Sequence, residues 1–172
     1  MDVAGPGRRA FDFPLYVVGR LADGWKVELE QLVYVSQATQ PLSPKALREL
    51  IARSAARNAS VQVTGLLLYS RGHFMQLLEG PPAAVGKLYD TIRVDSRHAA
   101  VRRLSCKPVW GRLFAKWHMG LLDTSTVAGP DYRRLHAVLE QAMPHQDLPH
   151  GAEAGLALLR EFRRQMPTRR SA

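Results

Sequence analysis

The chain has 172 residues, 46% of them hydrophobic, a formal net charge of +9 and a single cysteine, Cys106. That suffices for one domain with a buried core plus appendages; it excludes an intramolecular disulfide and favours a cytoplasmic protein. No stretch approaches the ~18 consecutive apolar residues of a membrane span, the N-terminus lacks the pattern of a secretory signal, and no Cys/His cluster has zinc spacing.

Residues 1–28 form an N-terminal extension, rich in Gly, Pro and Arg, with little period. From Leu29 the text becomes regular. Leu32, Tyr34 and Ser36 alternate with Val33 and Val35, the period of a strand. Ser43 is placed to cap a helix and Pro44 to begin it; Leu47, Leu50, Ile51 and Ser54 then recur at helical spacing. Asn58 falls near the end of this helix, where asparagine tolerates a left-handed cap. Val61–Tyr69 reads as a β-branched and aliphatic strand, Ser70-Arg71-Gly72 as a turn, and His73–Glu79 as the returning strand of a hairpin. After Gly80-Pro81-Pro82 a second helix carries Val85, Leu88, Tyr89 and Ile92 on one stripe. Val101–Val109 and Leu113–Leu122 read as another strand pair joined around Trp110-Gly111.

The order β-α-β-β-α-β-β predicts an α+β fold whose first six elements follow the ferredoxin-like arrangement, with both helices on one face of the sheet. Both faces of the strand at 73–79 are apolar, so the other face also needs a cover. Two amphipathic stripes in residues 125–172 supply it: Tyr132, Leu135, Leu139 and Ala142, then Leu156, Leu159, Phe162 and Met166. Two C-terminal helices capping the second face are expected, followed by a basic tail; the central unit runs from 29 to 124.

Three polar side chains stand where apolar ones are expected: Tyr34, Asn58 and Gln76. A buried glutamine amide left without partners costs roughly 1–3 kcal/mol. Aimed at one cleft, the three point to a flat, polar ligand held inside the fold, and period two lets Tyr34 and Gln76 share the helix-facing side.

Residues 31–122 resemble the BLUF family of flavin-binding blue-light sensors. The resemblance rests on LVYVSQATQPLS, on Asn58 ahead of VTGLL, on F-x-Q-x-L-E-G at 74–80, on D-x-R-H at 95–98 and on W-x-M at 117–119. It implies non-covalent FAD, or FMN as in some isolated domains, with the ring between the two helices. Carried over, Tyr34 would donate an electron and a proton, and Gln76 would bridge Tyr34 and the flavin edge. Asn58 would bond the carbonyl and imide side, with Arg57 at the variable position before it. Leu50 and Ile92 would sandwich the ring, Asp95, Arg97 and His98 would lie near the ribityl and phosphate groups, and Trp117 and Met119 would pass the signal. The family shows both placements of the tryptophan, inward and outward, so its orientation is open at this point.

The resemblance implies a photoreceptor rather than an enzyme, acting on a downstream signalling protein and forming a homo-oligomer. Residues 125–172 are too few for a cyclase, phosphodiesterase or DNA-binding domain. Two other readings stand beside it. One is a light-insensitive ferredoxin-like protein-interaction module. The other is a nucleic-acid-binding regulator using Arg160, Arg163 and Arg164, although solvated helix faces account for most of the charge and no named nucleic-acid motif is present. No G-x-G-x-x-G supports a nicotinamide-dependent flavoenzyme. Trp25, Trp110, Cys106, His145 and His150 read as packing or surface.

Overall fold

The structure, a computed structural model, describes residues 20–21, 24–25, 29–123 and 153–165. Two short strands, β1 (Arg20–Leu21) and β2 (Gly24–Trp25), pair with each other. The alternating text from Leu29 becomes β3 (Leu29–Ala38). Ser43 caps the following helix, α1 (Pro44–Ser60), its hydroxyl accepting from the Ala46 amide at 3.2 Å with Pro44 in the first turn.

The end of α1 differs from the sequence expectation. The left-handed residue is Gln62 (φ 56°), not Asn58. Asn58 remains helical; its carbonyl accepts from the Val63 amide while Ala59 accepts from Gln62. These are the paired bonds of a Schellman closure, in which the left-handed position falls two residues beyond the helix. Asn58 therefore lies in the last full turn, and its side chain is turned inward.

β4 (Thr64–Ser70) and β5 (His73–Gly80) form the expected hairpin. Arg71 and Gly72 both take positive φ (46° and 79°), as a tight turn matching strand twist requires. Pro82 opens α2 (Pro82–Arg93), which buries Val85, Leu88, Tyr89 and Ile92. β6 (His98–Val109) follows, then an irregular segment, β7 (Gly120–Asp123) and, later, α3 (Glu153–Gln165).

The main sheet has the order β6-β3-β5-β4-β7. Its first four strands have the ferredoxin-like order, and β7 is added parallel to β4. This corrects the last expected hairpin: β6 pairs with β3, and the chain then crosses to the far edge before β7 forms. Of the expected second strand, Leu113–Leu122, only 120–122 is extended, and β7 runs on to Asp123; residues 111–119 are engaged elsewhere by side-chain and backbone bonds described below.

α1 and α2 cover one face over Leu32, Tyr34, Leu67, Tyr69, Phe74 and Leu78. α3 covers the other, with Leu156, Leu159 and Phe162 against Val33, Leu66, Leu68, Met75 and Leu77. Strands buried on both faces explain the near-continuous apolar text of β4 and β5. The first expected C-terminal stripe, Tyr132 to Ala142, and Met166 of the second lie outside the described residues. No helix among the described residues is long and apolar enough to cross a membrane.

Candidate functional site

Tyr34 and Gln76 are direct cross-strand partners on β3 and β5, facing α1 and α2. The Tyr34 hydroxyl donates to Oε1 of Gln76 at 2.5 Å. Nε2 of Gln76 in turn donates to Sδ of Met119 at 3.0 Å. All three side chains are buried. Burial, reinforced by the nearby Asp95 carboxylate, raises the Tyr34 phenol well above its usual range. The phenol is thus held neutral, with its proton directed at the amide oxygen. The Tyr34 ring also lies against Tyr89 of α2, centroids 5.7 Å apart.

The segment before β7 carries the two residues expected to pass a signal, and it sends them to opposite faces. Met119 enters the core under α1 and α2 beside Gln76. Trp117 packs on the α3 side, its ring stacked on Phe114 at 5.8 Å. Methionine is therefore inward and tryptophan outward with respect to Tyr34 and Gln76.

Asn58 reaches the same segment from α1: its Nδ2 donates to the His118 carbonyl at 2.8 Å. The side chain is 1% exposed, and its Oδ1 has no hydrogen-bond partner. A buried acceptor left unpaired is costly. It is the group that an N–H of a ring ligand would satisfy, so the residues present fit a flavin. Leu50 and Ile92, from the two helices, pack on the same core and are placed to supply apolar walls for such a ring.

Asp95, Arg97 and His98 cluster at the α2–β6 junction. Asp95 accepts from the Arg97 amide and guanidinium, both from Nε at 2.9 Å and from Nη2 at 2.5 Å. Those bonds hold the Asp95 carboxyl down at about 2. Nδ1 of His98 lies 2.8 Å from the Ser36 hydroxyl, and burial lowers its pKa, opposed by Asp95. The ring of His98 also touches Phe74, centroids 4.8 Å apart. Arg57 is not drawn into the cluster; it is exposed on the last turn of α1.

The sequence reading missed Glu79. It is fully buried among the apolar residues of the α3 face, and it accepts from Gln31 Nε2 and from the amides of Leu113 and Phe114. The signal was present: period two puts Glu79 in line with Met75 and Leu77, and a carboxylate in a buried row needs donors.

A family model described as "BLUF: Sensors of blue-light using FAD" matches residues 29–120. The chain is 42% identical over 90 residues to photoactivated adenylate cyclase subunit beta of Euglena longa, covering 52% of this chain and 10% of that one. It is 37% identical over 95 residues to the blue light- and temperature-regulated antirepressor BluF of Escherichia coli (strain K12), covering 55% of this chain and 24% of that one. The chain thus spans a minor part of these curated relatives. Among solved structures, the dark state of BlrB, a BLUF protein, superposes with a TM-score of 0.56 at 28% identity, covering 81% of this chain and 98% of that one. Klebsiella pneumoniae BlrP1 superposes with a TM-score of 0.64 at 29% identity over 80% of this chain and 33% of that one. With a family match over more than half its length, this chain belongs to the BLUF family of blue-light sensors using flavin.

Proposed function

We propose that this protein is a blue-light photoreceptor that holds FAD non-covalently and uses Tyr34 and Gln76 as its photochemical pair. The observation that supports it best is the continuous chain from the Tyr34 hydroxyl through Gln76 to Met119. When bound, the flavin supplies blue-light absorption and an excited state able to accept one electron.

Tyr34 releases an electron and passes its hydroxyl proton toward Oε1 of Gln76. Gln76 rotates or changes tautomer while that proton is displaced. Electron and proton then return to Tyr34, so no net chemistry remains and only the hydrogen-bond pattern is altered. A glutamine suits this task because its amide presents a donor and an acceptor of nearly equal shape. Asn58 would accept from the imide side through Oδ1, and Leu50 and Ile92 would supply apolar walls that exclude water from the ring. Asp95, Arg97 and His98 would lie near the ribityl and phosphate groups, with Arg57 at the variable position before Asn58 as a further cofactor-binding residue. FMN fits the same ring contacts.

The altered Gln76 releases or re-forms its bond to Met119, and the change runs through β7 to the C-terminal helical part and on to a protein partner or a second copy. Such a switch works only if the two patterns bind the partner differently.

The test is the visible spectrum of the purified protein before and after blue light. A flavin spectrum that shifts slightly to the red and recovers in darkness is expected, and Gln76→Leu is expected to abolish the shift. A wild-type flavin spectrum that does not move overturns the reading.

A further inference from the structure

Segment 110–119 carries Met119 and Trp117 but makes no regular ladder until Gly120. Several side chains hold it, and Glu79 is the one that also reaches the opposite face of the sheet. Glu79, at the end of β5, accepts the amides of Leu113 and Phe114, both at 3.0 Å, on its two carboxylate oxygens. Arg112 reinforces the attachment, donating to the Glu79 carbonyl at 2.5 Å, to Thr64 Oγ1 at 2.9 Å and to the Gln62 carbonyl at 2.6 Å. Trp117 is then tied to Phe114 and to β4, through its amide to the Phe114 carbonyl and its carbonyl from the Gly65 amide.

Glu79 also faces α3. Its cross-strand neighbour Gln31 donates to Oε1 at 2.9 Å. Gln31 in turn lies directly under Gly155 of α3: a Cβ at Gly155 would fall 2.0 Å from Gln31 Oε1 and 2.8 Å from Leu77 Cδ1. A side chain at Gly155 would have to displace the Gln31 amide that Glu79 holds. The carboxylate therefore joins the segment that contacts Gln76 on one face of the sheet to the helix that covers the other face. A buried carboxylate is a demanding way to hold a loop, since its desolvation is repaid only while every donor stays in place. That makes its geometry sensitive to small displacements of the segment.

We infer that Glu79 is a positioning residue that couples the Met119–Trp117 segment to α3, so that a rearrangement at Gln76 reaches the helix through the Leu113/Phe114–Glu79–Gln31–Gly155 contacts. The inference rests on the photoreceptor reading, and it adds to that reading a specific route through the sheet. Glu79 touches neither Tyr34 nor the ring pocket, and the photochemistry proceeds without it.

The experiment is hydrogen exchange of the flavin-loaded full chain, in darkness and under blue light, for wild type, Glu79→Gln and Gln31→Leu. The readout is the light-minus-dark difference in residues 153–165, a quantity that a uniform loss of stability does not create or remove. In wild type a light-dependent difference in α3 is expected. In both variants the red shift is retained, while the α3 difference falls at least threefold. Should Glu79→Gln fail to fold, Gln31→Leu decides alone, since it leaves the carboxylate–amide bonds intact. A variant with the full shift and the full α3 response overturns the coupling, as does a wild type whose α3 ignores light while its spectrum shifts. A wild type that takes up no flavin overturns the photoreceptor reading and the coupling together.

Discussion

Asn58 and Met119 are linked through one stretch of backbone: Asn58 Nδ2 holds the His118 carbonyl, and the next residue presents its thioether to Gln76. A helix end and a strand start thereby meet at the amide on which the proposed switch turns. Asn58→Ala removes both the bond to His118 and the unpaired Oδ1. The helix closure uses backbone only and survives. The expected outcome is a folded protein whose flavin affinity falls roughly tenfold, the equivalent of one hydrogen bond of about 1.4 kcal/mol. Fluorescence titration of apoprotein with flavin measures it.

Tyr34→Phe keeps the buried ring and removes the hydroxyl donated to Gln76. Leaving Oε1 unpaired costs about 1–3 kcal/mol. Flavin is expected to remain bound while the light-induced red shift disappears. Denaturant unfolding and light-minus-dark spectra report the two effects separately.

Met119→Leu preserves volume in the core, at a cost below about 1.5 kcal/mol. It also takes away the acceptor of Gln76 Nε2. Where the return to darkness re-forms that bond in wild type, the variant gains nothing on the way back, so dark recovery is expected to slow by about threefold to tenfold, up to ~1.4 kcal/mol in the barrier. The recovery rate after a blue flash decides it.

Asp95 titrates at about 2 in the fold, because Arg97 bonds its charged form, against 3.8 for the free side chain. A depressed carboxyl adds stability above its unfolded pKa and loses it as the pH falls through the folded value. Arg97 is about half exposed, so screening limits the contribution to roughly 0.5–1 kcal/mol. Asp95→Asn is therefore expected to be less stable than wild type at neutral pH, with the gap closing from about pH 4 down to about pH 2. Urea midpoints across that range are the check.

Gly65 has no room for a side chain. A Cβ there would sit 2.0 Å from the Leu77 carbonyl oxygen of the neighbouring strand, and that oxygen cannot move without breaking the β4–β5 ladder. Gly65→Ala is expected to cost upwards of about 3 kcal/mol, beyond ordinary overpacking. Circular dichroism melts should show a large drop or no cooperative transition.

The parts of the fold that were legible in the sequence are those decided locally. Ser43-Pro44 caps and starts α1, the stripe of Val85, Leu88, Tyr89 and Ile92 buries α2, and Arg71-Gly72 turns the hairpin, each for reasons contained within a few residues. The shared face of Tyr34 and Gln76 follows from period two. What was not legible depends on distant partners. Leu113–Leu122 has enough apolar residues for a strand, but the Glu79 carboxylate claims the Leu113 and Phe114 amides, and only the last few residues before Asp123 find a ladder. The opposite placements of Trp117 and Met119 follow from that same capture. At α1, the left-handed position fell to Gln62, a residue type with no preference for it, so composition pointed instead to Asn58.

β6 and β7 follow one another in the chain but occupy opposite edges of the sheet. The β4–β7 ladder joins Leu66 to Gly120, 54 positions away, whereas β4 and β5 are joined by a two-residue turn. Closing the long loop carries a larger entropic cost, and contacts of that separation form late. The short β7 is accordingly the first part of the sheet expected to open and the last to re-form, ahead of any disturbance to the β3–β5 pairing. Each such opening would strip Met119 from Gln76 while leaving Tyr34 in place, so the two ends of one glutamine amide are held by parts of the protein with very different lifetimes.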